Sequence, residues 1–86
     1  MPEVYCLTSP SGRKYIGVTR RTTAARFKEH CYEARRGRKN IPILNALSKY
    51  GPETFHVETL AKCKGVEFAF ELEARMIAEL NTIAPN

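Results

Sequence analysis

Two short apolar runs separated by a turn open the chain. Val4 to Thr8 is rich in β-favouring residues, and Lys14 to Thr19 is a second run of the same kind. The intervening Ser-Pro-Ser-Gly segment is a turn signal, because proline presets one backbone dihedral angle and glycine tolerates a positive φ. The pattern therefore predicts an antiparallel hairpin.

The register of this hairpin decides whether Tyr5 and Tyr15 can serve one site. They share a face of the sheet only when they lie opposite each other or are offset by two. A five-residue loop over 8–12 would place them opposite each other, whereas a plain four-residue loop would put them on opposite faces. Gly17, near the end of the second run, indicates either a close approach of another group or a simple bend.

A helix is predicted after the hairpin. Thr22 or Thr23 suits its N-cap, and Gly37 suits its end. Arg26 and His30 are four residues apart, so they project from one helical face. The apolar stripe of this helix comprises Phe27, Cys31 and Ala34. Tyr15, Arg26 and His30 bring a phenol, a permanent cation and an imidazole into a short stretch of sequence, which suggests a phosphate-handling site.

The remaining pattern predicts a second helix, a third strand and a third helix. Asn40 suits the cap of the second helix, Pro42 its first turn, and Gly51-Pro52 its end. Residues 54–60 alternate like a strand, and residues 65–80 repeat apolar residues at helical spacing. The order β-β-α-α-β-α predicts the α+β class, with a small three-stranded antiparallel or mixed sheet flanked by three helices. The length fits a single domain over residues 1–86.

Glu73 interrupts the apolar side of the third predicted helix. The stripe itself comprises Ala69, Leu72, Met76, Ile77 and Leu80. A buried carboxylate without a partner would cost several kcal/mol. Glu73 is therefore either a boundary residue paired with a lysine or arginine, or a carboxylate near a cavity whose partner would be a hard divalent cation.

Charge is distributed unevenly along the chain. Residues 1–50 hold eleven of the fourteen Lys and Arg and three Glu, a net charge of +8, whereas residues 51–86 have a net charge of −3. The chain has no Asp. A basic half of this kind indicates a polyanionic partner, most simply nucleic acid, and the alternative is a solvated basic surface.

Composition argues against several other classes of protein. No apolar run approaches the roughly 20 residues of a membrane span, and the N-terminus lacks the features of a signal peptide. A cytoplasmic location is the expectation. The three cysteines are odd in number and scattered, which argues against a disulfide framework and a zinc site.

Five elements in order along the chain resemble one known family. They are Val4-Tyr5, Tyr15-Ile16-Gly17, Arg26-x-x-x-His30, Glu73, and Ile77 with Leu80-Asn81. Their order and spacing resemble the GIY-YIG nuclease domain over residues 3–86, and the segment 40–55 looks most like the homing endonucleases of that family. Two departures stand out: Glu3 occupies the place of the first glycine, and the Gly-Tyr-Asn run with the late active-site Asn of some members is absent.

The resemblance implies metal-dependent hydrolysis of DNA phosphodiester bonds. Glu73 would bind one Mg²⁺ or Mn²⁺ ion, and Arg26 would neutralise charge on the phosphate. Tyr5 would be the general base, with Tyr15 positioning the attacking water or sharing that role. His30 would hydrogen-bond a tyrosine or relay a proton. Which tyrosine is the base stays open.

The resemblance also implies DNA as the partner. Sequence-independent phosphate contacts would come from basic residues of the first half, namely Arg20, Arg21, Lys28, Arg35, Arg36, Arg38 and Lys39. No specificity module is recognisable, so specificity would come from a partner domain or an oligomer. Two alternatives remain: a catalytically impaired nucleic-acid-binding domain on the same fold, and a plain basic interaction domain.

Overall fold

The computed structural model describes residues 1–80 and contains the six predicted elements in the predicted order. These are β1 (Glu3–Thr8), β2 (Lys14–Thr19), α1 (Thr23–Arg35), α2 (Pro42–Tyr50), β3 (His56–Lys62) and α3 (Val66–Leu80). One turn of 3₁₀ helix, Pro52–Thr54, precedes β3. The α+β class and the β-β-α-α-β-α order are confirmed.

The sheet is antiparallel throughout, with β1 in the centre and β2 and β3 at the edges. Tyr5 lies opposite Gly17, and Leu7 lies opposite Tyr15. Tyr5 and Tyr15 therefore share a face through an offset of two, which is one of the two arrangements that the sequence left open. The loop has five residues but runs over 9–13 and not over 8–12, and the Arg13 carbonyl in this turn accepts a 2.9 Å hydrogen bond from the Ser9 N–H.

Helices cover both faces of the sheet. Tyr5 and Leu7 of β1 belong to a core with α1 and α2, whereas Val4 and Cys6 belong to a core with Ala69 of α3. The alternation along β1 thus separates two hydrophobic layers, as expected for a central strand with a period of two. All three cysteines are free thiols.

Both ends of α1 follow the sequence signals. Thr22 has extended backbone geometry, and its hydroxyl accepts a 3.1 Å hydrogen bond from the Ala25 N–H. The N–H groups of Arg36 and Gly37 bond back to helix carbonyls, and Gly37 has a positive φ of 86°. Thr22 is therefore the cap, and Arg26 and His30 lie one and two turns into the helix.

The predicted Asn40 cap of α2 is wrong. Ile41 is the N-cap, with extended backbone geometry and no side-chain cap bond. The physical reason is Pro42, which occupies the first helical position and forces the preceding residue into an extended conformation. Asn40 is left exposed outside the helix.

Two further boundaries differ from the predictions. β3 covers His56–Lys62 and not 54–60, because Thr54 belongs to the 3₁₀ turn, where its hydroxyl donates a 2.7 Å hydrogen bond to the Gly51 carbonyl. In α3, Leu80 is exposed, although Ala69 is buried and Leu72, Met76 and Ile77 pack against the core. Among residues 1–80, no helix has the length and apolarity needed to span a membrane.

Candidate active site

Tyr5 is the centre of the candidate site. It lies on the central strand and is 1% exposed. Its side chain crosses the neighbouring strand at Gly17, where an added Cβ would collide with the phenol ring and hydroxyl. Gly17 therefore marks a close approach and not merely a bend. The missing side chain lets the Tyr5 hydroxyl lie over the edge strand β2.

His30 contacts Tyr5 from α1. Its Nε2 lies 3.3 Å from the Tyr5 hydroxyl oxygen, with the two rings inclined at 63°. Burial, followed by the positive charge of Arg26, lowers the pKa of His30 to about 4. The imidazole is therefore neutral at pH 7. With its proton on Nδ1, Nε2 accepts a hydrogen bond from the Tyr5 hydroxyl.

Arg26 lies one helical turn before His30. Its side chain is 30% exposed, and its guanidinium is 3.5 Å from a Glu29 carboxylate oxygen. Burial raises the pKa of Tyr5, and the hydrogen-bonding capacity and charge of Arg26 oppose that rise. The arginine thus acts on the phenol electrostatically, and part of its side chain remains accessible to a ligand.

Glu73 lies on α3, which packs against the opposite face of the sheet. Its negative charge acts to raise the pKa of Tyr5, which places the two groups within electrostatic reach. Because β2 is an edge strand, groups from both faces can meet beyond it. Burial raises the pKa of the half-buried Glu73 carboxyl, and no lysine or arginine within residues 1–80 forms an ion pair with it.

Tyr15 lies beside Tyr5 on the sheet and forms no hydrogen bond with Tyr5 or His30. It is diagonal to Tyr5 on the same sheet face, a relation that separates the two backbones by about 7–8 Å. The side chain is 3% exposed and lines a separate cleft with Arg13 and Lys49. The fold thus brings Tyr5 and His30 into contact with Arg26 on the same helix, leaves Glu73 linked to Tyr5 by charge alone, and places Tyr15 next to Tyr5 on the sheet.

Comparison with protein-family models identifies the family of the chain. The sequence model of the GIY-YIG catalytic domain matches residues 1–85. The chain belongs to the GIY-YIG family. The GIY-YIG family is a family of nucleases, whose substrate is nucleic acid. Neither a curated protein sequence nor a solved structure gives a significant match.

The basic residues of this GIY-YIG domain divide into paired and unpaired groups. Arg21 forms a 3.0 Å ion pair with Glu29, and Arg38 forms a 2.9 Å ion pair with Glu33. Arg20, Lys28 and Arg35 are exposed and form no ion pair within the described residues. An open cleft of about 330 Å³ beside Arg26 and His30 includes both of the paired glutamates.

Glu3 is a structural residue of the GIY-YIG domain that the sequence reasoning did not identify. One of its carboxylate oxygens accepts hydrogen bonds from the N–H and the hydroxyl of Thr23, at 2.8 and 2.9 Å. The Thr59 hydroxyl of β3 donates in turn to the Thr23 hydroxyl at 2.8 Å. The start of α1 is thereby tied to both β1 and β3. The available signal was a glutamate within an apolar strand run.

Proposed function

We propose that this GIY-YIG domain is a divalent-metal-dependent DNA endonuclease that hydrolyses phosphodiester bonds, as the catalytic part of a homing-endonuclease-like protein. The observation that carries the proposal is the contact between His30 and the Tyr5 phenol, with Arg26 one helical turn before His30 and with Glu73 on α3 acting on the same phenol through its charge. These groups provide a proton acceptor, a phosphate-binding cation and an oxygen ligand for a metal.

The donor set fits a single Mg²⁺ or Mn²⁺ ion. Glu73 is a half-buried carboxylate that has no cationic partner within the described residues. No group of three or more His, Cys, Asp or Glu that could hold a metal occurs within residues 1–80. Mg²⁺ commonly binds through one or two carboxylates and completes its shell with water and substrate phosphate. When bound, the metal would stabilise negative charge on the phosphate and on the leaving oxygen.

Arg26 would bind the scissile phosphate. A guanidinium presents donors in a planar fork that matches two phosphate oxygens. Its existing partner, Glu29, is 3.5 Å away and 40% exposed, so the ion pair is weak. A phosphate can therefore displace Glu29 from Arg26 at little cost.

Tyr5 and His30 would accept the proton of the attacking water in sequence. Burial raises the pKa of Tyr5, so a free tyrosinate is disfavoured. The neutral phenol can instead take the water proton while passing its own proton to Nε2 of His30. Because Arg26 lowers the pKa of His30, a phosphate that neutralises Arg26 would make His30 a stronger acceptor. Tyr15, diagonal to Tyr5, would position the water.

Nicking of supercoiled plasmid in the presence of Mg²⁺ tests this proposal. We expect Glu73→Ala and Arg26→Ala each to lower the nicking rate by about 10²-fold or more, because each removes stabilisation of transition-state charge. Glu71→Ala is the matched control, since Glu71 is exposed on the same helix. DNA binding should largely survive in all three variants.

Two outcomes would contradict the proposal in different ways. Nicking that persists in Glu73→Ala would refute the metal-binding role of Glu73. Binding of DNA by the wild-type domain without nicking at any Mg²⁺ or Mn²⁺ concentration would favour the alternative function, a catalytically impaired nucleic-acid-binding domain. The burial of Tyr5, which limits its access to solvent, is the observation that favours that alternative.

A further inference from the structure

We infer that the cleft between the β1–β2 turn and α2 is a second nucleic-acid subsite, which binds backbone phosphate of the strand flanking the cleaved bond. The inference rests on the proposed nuclease function and extends it to Arg13 and Lys49, which lie outside the catalytic group, with Tyr15 shared between the catalytic group and the cleft. The cleft has a volume of about 330 Å³. Its polar lining comprises Ser11, Arg13, Tyr15, Asn45, Lys49 and Tyr50.

Local structure places the backbone of one cation and the side chain of the other beside the cleft. Arg13 closes the β1–β2 turn, since its carbonyl accepts from the Ser9 N–H, and Gly12 takes the positive φ of 90° that the turn needs. Asn45 and Lys49 are four residues apart and share the outer face of α2. The Lys49 ammonium lies 5.2 Å from the centre of the Tyr50 ring, a cation–π contact that restrains it.

The charge of this cleft is uncompensated. Its lining contains two cations and no carboxylate, and neither Arg13 nor Lys49 has an ion-pair partner within residues 1–80. The cleft beside Arg26 differs, because Glu29 and Glu33 line it and pair with its arginines. An anionic ligand would therefore meet less competition between the turn and α2 than beside Arg26.

Tyr15 supplies an independent indication of a ligand. Its side chain is 3% exposed and lines the cleft. No hydrogen-bond partner for its hydroxyl occurs among the described residues. A buried hydroxyl without a partner is unfavourable, and a phosphate oxygen in the cleft would accept from it.

The position of Tyr15 also connects the cleft to the catalytic group. Tyr15 and Tyr5 are diagonal neighbours on one face of the sheet. A strand whose phosphate contacts Tyr15 would therefore bind beside the position of the sheet that carries Tyr5. Backbone phosphate is the ligand class that fits, because the polar groups offer donors for oxygen anions and the cleft is open to a chain passing through it.

Salt dependence of DNA binding tests the subsite without requiring cleavage. Fluorescence anisotropy with a labelled duplex, in the absence of divalent metal, gives the slope of log K against log salt concentration. We expect the double variant Arg13→Gln/Lys49→Gln to reduce the magnitude of this slope by about 1 to 2, since each phosphate contact contributes about 0.9. The matched control is Lys64→Gln/Arg75→Gln, which removes two exposed cations outside the cleft and should leave the slope unchanged.

A second measurement places the subsite relative to catalysis. The Arg13→Gln/Lys49→Gln variant should raise KM for plasmid nicking severalfold and leave kcat unchanged, because the cleft binds substrate away from the reacting atoms. A nuclear magnetic resonance titration with inorganic phosphate distinguishes nucleic-acid backbone from free phosphate. We expect cleft resonances to shift saturably with duplex DNA and not with millimolar phosphate.

Each failure has a distinct meaning. Equal salt slopes for the cleft variant and its control would overturn the subsite, even if the wild-type domain nicks DNA. Saturable binding of inorganic phosphate in the cleft would also overturn it, by assigning the cleft to a free anion. A wild-type domain that binds duplex without nicking it would refute the proposed nuclease activity alone, and the slope comparison would still decide the subsite. Absence of duplex binding would overturn both.

Discussion

Single residues explain why the site forms at the edge of a small sheet. Gly17 provides the space through which the Tyr5 side chain crosses β2. Arg26 influences two groups at once, because its charge opposes the rise that burial causes in the pKa of Tyr5 and adds to the fall that burial causes in the pKa of His30. A substrate phosphate bound to Arg26 would therefore alter the protonation of Tyr5 and His30 as well as the ion pair between Arg26 and Glu29.

The close approach at Gly17 predicts a specific cost for one added methyl group. Gly17→Ala places a Cβ against the Tyr5 ring and hydroxyl, so we expect the free energy of unfolding to fall by about 1–3 kcal/mol through overpacking. Gly65→Ala is the control, because an added Cβ there has no atom within 4 Å. Urea denaturation of both variants measures the difference. A Gly17→Ala variant with an unchanged free energy of unfolding would contradict the crossing of Tyr5 over β2.

His30 predicts a loss of stability in acid. Its folded-state pKa of about 4 lies below the usual 6.5, so the unfolded chain binds a proton that the folded chain excludes. The free energy of unfolding should fall as pH decreases from about 6.5 to about 4, by about 3 kcal/mol if His30 acts alone. Urea denaturation at a series of pH values should show a smaller decrease for His30→Gln. Parallel curves for the two proteins would contradict a neutral, buried His30.

At the scale of the elements, the sheet and α1 are joined by a polar connection. Glu3, Thr23 and Thr59 come from three different elements, and their hydrogen bonds are between 2.8 and 2.9 Å long. Glu3 accepts from the first N–H of α1, where a negative charge is favourable. The hydrogen bond from the Thr23 N–H lowers the pKa of Glu3. This connection fixes the helix that carries Arg26 and His30.

Removing the charge of Glu3 should loosen the start of α1. We expect Glu3→Gln to lower the free energy of unfolding at pH 7 by about 1–3 kcal/mol, the range for hydrogen bonds to a charged group. Because the pKa of Glu3 is lowered in the folded state, this contribution is present above pH 4.5 and is lost at more acidic pH. Glu58→Gln, at an exposed position of β3, is the control. Equal stability of the two variants at pH 7 would show that the connection is unimportant.

At the scale of the whole molecule, the positive charge of the first half is only partly available to a ligand. Glu29 and Glu33 occupy Arg21, Arg26 and Arg38 in surface ion pairs. The remaining cations of residues 1–50 lie on β2, α1 and α2 and in the loops that adjoin these elements. The net charge of +5 therefore does not describe how positive charge differs from one surface to another. That local difference in charge decides where a polyanion would bind.

Features that depend on neighbouring residues along the chain were predictable from the sequence, whereas features that depend on contacts between distant residues were not. The elements and the apolar stripe of α1 were predictable because periods of two and 3.6 are local. The cap of α1 was predictable to within two adjacent residues, Thr22 or Thr23, whereas the Asn40 cap failed because Pro42 controls the residue before it. Gly17 stayed ambiguous until its partner across the hairpin, Tyr5, was known.

The sequence by itself determined the order of the elements, the uneven charge and the residue types that relate the chain to the GIY-YIG family. Only the tertiary structure decided the offset of Tyr5 and Tyr15, the anchoring of α1 by Glu3, and the separation of Tyr15 into a cleft with Arg13 and Lys49. These features depend on the register of the hairpin and on packing between residues far apart in the chain. Contacts of that kind leave no periodic signal, because each depends on how two distant segments meet.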